Sequence, residues 1–230
     1  KRFQAVSGMI DEFDNAEKTY FPGNTAPQAG ELFRNPDLGN TLAAIAQGGR
    51  SAFYEGDIAQ AMSAYFKSIG ADLTLSDLSA HEGEWVEPRG VNYHGYTLYE
   101  LPPNGQGFAA LMMLNILKQT DVRQFERGSP ELFHYMVEAK RLAFEAMAGT
   151  FADPDFADIP LDALLSDGFA KRQFARIRKD AVIEPKFLAV PLEGEGDTTY
   201  LTVVDKSGLM VSLIQSNYRG MGSGLVPKGL

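Results

Sequence analysis

The chain contains no cysteine. That absence excludes a disulfide framework, a thiolate nucleophile and cysteine-built zinc or iron–sulfur sites, and it leaves the redox compartment open. No run of about 18 apolar residues occurs, which excludes a membrane-spanning helix. Histidine is scarce: His81, His94 and His134 lie far apart without metal-ligand spacing, so ordinary surface or core roles and no metal site are expected. Basic residues are outnumbered 21 to 30, for a net charge of −9, and form no long run. Affinity for phosphate backbones depends on positive charge, so a nucleic-acid partner is disfavoured. The nearest basic cluster (Lys171, Arg172, Arg176, Arg178 and Lys179) has helical spacing and reads as a solvated helix face. Gly222-Ser223-Gly224 lacks the lysine and spacing of a phosphate-binding loop and reads as a turn.

What remains is ordinary in amount. The 230 residues, 44% of them hydrophobic, suffice for a substantial core. The opening Lys1-Arg2-Phe3-Gln4 has neither an initiator methionine nor the apolar core of a signal peptide, so a processed or excised beginning is expected.

Local patterns predict mainly helices, followed by one closing hairpin. Residues through Pro36 read as irregular, and Asn40 as the cap of a helix that stops at Gly48-Gly49. Asp57 opens an amphipathic helix ending at Gly70, and Thr74 with Asp77 three positions later forms a capping signal. Residues 85–101 suit two strands with a turn at His94-Gly95. A turn-rich Pro102–Gly107 loop then leads into a buried helix from Phe108 to Lys118. Ser129-Pro130 caps a long helix through Met147, with Phe133, Met136, Val137, Leu142 and Phe144 available for packing. Asp153 and Asp155 flank a proline and shape a turn, and short helices follow near 161–165 and 169–177. The β-branched run from Thr198 to Asp205, a turn at Lys206-Ser207-Gly208 and an extended Leu209–Gln215 make a β-hairpin. Gly194–Asp197 is a polar approach to it with the composition of an exposed linker.

A bare Thr198-Thr199 pair is unremarkable in a strand. In order along the chain, however, stand Ile45–Arg50, Ala52–Gly56, Pro102-Pro103 before a glycine-containing loop, Asp153–Phe156, Asp197-Thr198-Thr199, Val203-Val204-Asp205 and Gly222-Ser223-Gly224. Together these resemble the gamma-glutamyltransferase (gamma-glutamyltranspeptidase) family from about Leu38 onward. The resemblance implies an α+β chain, part of a four-layer αββα N-terminal nucleophile hydrolase fold, mostly helical before the final hairpin. It implies a division into 1–197, the late part of a large subunit, and 198–230, the start of a small one. It further implies autocleavage between Asp197 and Thr198, after which the Thr198 hydroxyl attacks γ-glutamyl amides of the glutathione type. A threonine hydroxyl needs a base within reach, and a newly freed α-amino group, with a pKa of about 7.7–8.0, can supply one. Neither metal nor organic cofactor is called for.

By position, Ser216 stands where the family has a threonine that supports the nucleophile. Asn217 and Tyr218 stand beside the place of an asparagine that holds the glutamyl head, and Tyr200 replaces a histidine. The implied partners are a γ-glutamyl small molecule or peptide and the remainder of the same precursor; the implied location is periplasmic or secreted. The family's substrate arginine falls upstream of residue 1 and its oxyanion glycines beyond Leu230, so little turnover is expected of this chain alone. Two other readings stay open: a related amide acylase on the same scaffold, and a noncatalytic homologue.

Overall fold

The computed structural model describes residues 14–103, 105–184, 198–217 and 222–230. It forms two compact units, one drawn from residues 1–83 and 192–230 and the other from 84–191. The first unit thus contains residues from both sides of position 197. A division at 197/198 would therefore be one of processing rather than of packing.

In the first unit, α1 (Asp14–Tyr20) lies within the stretch read as irregular. It is short and buries little more than Ala16 and neighbouring Phe21, which pack with Val226; too few apolar positions are involved to set up a visible period. Helix α2 (Pro36–Tyr54) begins earlier than Asn40. Asn35 is the cap, its Oδ1 accepting the Leu38 N–H at 3.1 Å, and Pro36 takes the first helical position, where its missing N–H costs nothing. The stop expected at Gly48-Gly49 is a kink: Gly49 adopts φ 60°, ψ −145°, and the helix resumes to Tyr54. Then follow α3 (Asp57–Ser68), with Gly70 at φ 74° just beyond its end, and α4 (Leu75–Ala80).

Helix α4 opens on a complete capping box. Thr74 N–H donates to Asp77 Oδ2 at 2.8 Å, and Asp77 N–H to Thr74 Oγ1 at 3.4 Å. The Thr74 hydroxyl, and then its backbone N–H, hold the Asp77 carboxyl below its ordinary pKa. A lowered folded-state pKa contributes stability that is present above the ordinary carboxylate value and lost as pH falls through the lowered one. Hydrogen exchange at Thr74 and Asp77 should therefore accelerate, relative to amides at the far end of α4, on going from about pH 6 to about pH 2, and Asp77→Ala should remove that pH dependence.

The second unit opens with β1 (Arg89–Tyr93) antiparallel to β2 (Tyr96–Glu100), joined by His94 and Gly95 at φ 50° and 90°. Two positive φ values in a two-residue turn match the right-handed twist of the flanking strands. Helix α5 (Phe108–Leu117) is buried along most of its length, as its apolar circumference demands. It packs on α6 (Pro130–Thr150), where Ala139 and Ala143 admit close approach and Leu142 fills the seam. Phe133, Met136, Val137 and Phe144 face outward instead, because the face that meets α5 is the one carrying Ala139, Leu142 and Ala143. Helices α7 (Leu161–Leu164) and α8 (Asp167–Phe174) close the unit.

The basic cluster departs from a solvated helix face. Helix α8 ends at Phe174, and residues 176–183 form a strap held by one side of α6. Arg176 makes a two-pronged pair with buried Glu145, at 2.9 and 3.0 Å. His134 Nε2 donates to the Arg178 carbonyl at 2.7 Å. Fully buried Glu138 accepts the Ile183 N–H at 2.6 Å, while Arg141 donates to the Ile183 carbonyl at 2.9 Å and to Glu138 at 3.1 Å. Positions 134, 138, 141 and 145 are spaced by four, three and four, which puts all four side chains on one helix face.

In the first unit, β3 (Thr198–Val204) pairs antiparallel with β4 (Met210–Ser216) as a separate two-stranded ribbon. No helix among the described residues is long and apolar enough to cross a membrane.

Candidate functional site

The turn sets the ribbon's register. Asp205 Oδ1 accepts the Ser207 and Leu209 N–H groups, at 2.7 and 3.0 Å, and Gly208 adopts φ 86°. The hydrogen bond from the Ser207 hydroxyl, and then these two backbone bonds, hold the Asp205 carboxyl below its ordinary pKa. The loop centres on Ser207, so pairing runs outward from Val204↔Met210 to Thr198↔Ser216. Directly opposed residues on an antiparallel pair share a face. Thr198 Oγ1 and Ser216 Oγ accordingly meet at 2.8 Å, and either can be the donor. Both side chains are exposed.

A hydroxyl pair of this kind can orient one oxygen for attack while the other accepts or returns a hydrogen bond. The strand pleat also places Tyr200 and Thr202 on the Thr198 face, opposite Ile214 and Ser212. Tyr200 Oη and Ser212 Oγ lie 2.9 Å apart. Alternation along β3 is the signal that identifies Tyr200 as a neighbour of Thr198; its register became legible only once the turn centre was fixed.

Asn217 follows Ser216 and lines a cavity of about 230 Å³ with Ala16, Tyr20, Ser223, Gly224 and Val226. Gly222, at φ 69°, lies close to Asn217: a Cβ there would stand 3.3 Å from the Asn217 Cβ. Thr198 does not line this cavity. The α1 side of the cavity carried no sequence signal, since Ala16 and Tyr20 belong to no periodic pattern. Asp197 and Tyr218, with the Gly194–Asp197 approach, lie outside the described residues. Among the described residues no group of three or more histidine, aspartate or glutamate side chains is arranged to hold a metal ion.

A family model described as Gamma-glutamyltranspeptidase matches residues 1–230. The chain belongs to the gamma-glutamyltranspeptidase family. It is 43% identical over 201 residues to the glutathione hydrolase-like YwrD proenzyme of Bacillus subtilis, covering 86% of this chain and 37% of that protein. It is 33% identical over 209 residues to the oxamate amidohydrolase proenzyme of Klebsiella pneumoniae, covering 91% and 38% respectively. Among solved structures, the cephalosporin acylase from Bacillus halodurans superposes with a TM-score of 0.83 at 33% identity, over 99% of this chain and 42% of that one. The chain carries part of the N-terminal nucleophile hydrolase fold and spans less than half the length of these relatives.

Proposed function

We propose that this chain, together with the remainder of its precursor, hydrolyses or transfers the acyl group of γ-glutamyl amides such as glutathione. The observation that supports this reading is the 2.8 Å contact between Thr198 Oγ1 and Ser216 Oγ at the first position of β3. In the maturation step Thr198 Oγ1 attacks the Asp197 carbonyl, the C–N bond gives way to an ester, and water opens the ester to leave a carboxylic acid and a free Thr198 α-amine. In turnover that amine takes the hydroxyl proton as Oγ1 attacks the substrate amide, and the proton passes to the departing amine. Water or an acceptor amine then releases the acyl group. The chemistry requires no metal or organic cofactor. Ser216 holds the nucleophilic oxygen, and Asn217 and Tyr218 serve the acyl pocket.

A related amide acylase is the second reading, favoured by the likeness to a cephalosporin acylase and an oxamate amidohydrolase. It uses the same nucleophile with a different pocket, and a panel of γ-glutamyl and other acyl amides separates the two. Export to the periplasm or medium is the location proposed from the family resemblance, and fractionation of the producing cell tests it.

The deciding experiment is intact mass spectrometry of the full-length precursor over time. The wild type is expected to split between Asp197 and Thr198. Ser216→Ala is expected to split about 10–100-fold more slowly, as loss of one positioned hydrogen-bonding partner implies. A precursor that stays whole and inert overturns the enzymatic reading and leaves a noncatalytic homologue.

A further inference from the structure

Tyr200 is the aromatic side chain on the nucleophile's own face of the hairpin. It sits two residues from Thr198 on β3, so both side chains leave the same side of the ribbon. Its partner across the ladder is Ile214, and the diagonal positions on either side are Ser216 and Ser212. The hydroxyl bonds Ser212 at 2.9 Å, toward the turn and away from the Thr198–Ser216 pair. That contact fixes the lean of the ring and leaves the hydroxyl pair uncovered. With 59% of its surface exposed, the ring presents an apolar wall on the turn side of Thr198.

Any acyl group transferred through Thr198 remains within one bond of its Oγ1 from attack to release, while the amine departs. The atoms that adjoin the scissile carbonyl therefore spend the whole cycle beside this wall. A ring face carries negative potential and favours C–H groups over a carboxylate, which would also lose hydration against it. Resting on the reading given under Proposed function, we infer that Tyr200 is a specificity-determining residue. It selects acyl groups whose carbonyl adjoins methylene carbons, as in a γ-glutamyl group, and rejects those with a carboxylate attached directly to that carbonyl. Ser212 is its positioning residue.

Two anilides with a common leaving group test this on the self-cleaved full-length protein: γ-glutamyl anilide and oxalyl anilide. Tyr200→Ala is expected to lower the ratio of their kcat/KM values at least about tenfold, the scale of a lost apolar contact in a specificity pocket. Ser212→Ala and Tyr200→Phe each remove the same hydroxyl contact, so they should shift the ratio by a similar smaller factor, and the double variant no further. Mass spectrometry checks that every variant still cuts itself at Thr198. A Tyr200→Ala protein that is cut and active with a ratio within about twofold of wild type overturns the inference and leaves the nucleophile reading intact. A wild type that is neither cut nor active defeats the nucleophile reading, and this inference falls with it.

Discussion

Thr198→Ala should remain a single uncut polypeptide at every time point and should show turnover reduced by at least about 10⁴-fold, the scale seen when an activated hydroxyl nucleophile is deleted. The expectation follows from what one oxygen must do twice. Under the proposed function the Thr198 hydroxyl opens the peptide bond in front of it, and the α-amine that this cut would release becomes the base for the same hydroxyl. Without the first step there is neither nucleophile nor base. Thr198→Ser retains an oxygen at the same ribbon position opposite Ser216 and should still be cut, though more slowly. The variant should fold normally, because the Thr198 side chain is exposed and exposed substitutions of this kind change stability by about 0.5 kcal/mol or less. Loss of cutting alongside an unchanged unfolding midpoint thus separates chemistry from fold. An alanine variant cut at the same bond as wild type would remove Thr198 from the mechanism.

Local patterns carried much of the fold. Thr74 and Asp77, Ser129 and Pro130, and the His94-Gly95 turn each declare themselves within four residues, so cap and turn chemistry alone located α4, α6 and the β1–β2 ribbon. The Thr198–Ser216 contact is legible by the same logic once the turn is centred on Ser207, because antiparallel pairing is then fixed by counting outward. What could not be read depends on partners far apart in sequence. The start of α2 is not fixed by its caps, because Asn40 and Asn35 are both acceptable, and Pro36, at the end of a stretch without period, opens the helix. Of the bulky residues of α6 that the pattern offers for packing, Leu142 is buried, while Phe133, Met136, Val137 and Phe144 stay exposed because α5 meets the face of Ala139, Leu142 and Ala143, a choice invisible in α6 itself. Arg176 looked like one member of a basic helix face, yet its carboxylate partner lies 31 residues earlier.

The strap on α6 leads to the second large effect. Glu138→Ala should destabilise the second unit by about 3–5 kcal/mol, the cost of removing one member of a buried ionic group. The carboxylate is fully buried and serves two donors at once, the Ile183 N–H at 2.6 Å and Arg141 at 3.1 Å. Removing it leaves the Ile183 N–H without its acceptor and the Arg141 charge without its counterion, and it also opens a cavity beside Ala139 and Leu142. Arg141 still holds the Ile183 carbonyl from a side chain that is only partly buried, so Arg141→Ala should cost less. The two changes combined should cost less than their sum, because each disrupts the same contact. Glu138→Gln keeps an acceptor for the Ile183 N–H and should lose only about 1–2 kcal/mol. Urea titration reads these differences directly. With a slope of about 1–3 kcal/mol per molar for a unit of this size, Glu138→Ala should lower the midpoint by at least about 1 M. Equal and small shifts for alanine and glutamine would mean that the buried carboxylate fills space without holding the strap, and α6 would then hold residues 176–183 through Glu145, His134 and Arg141.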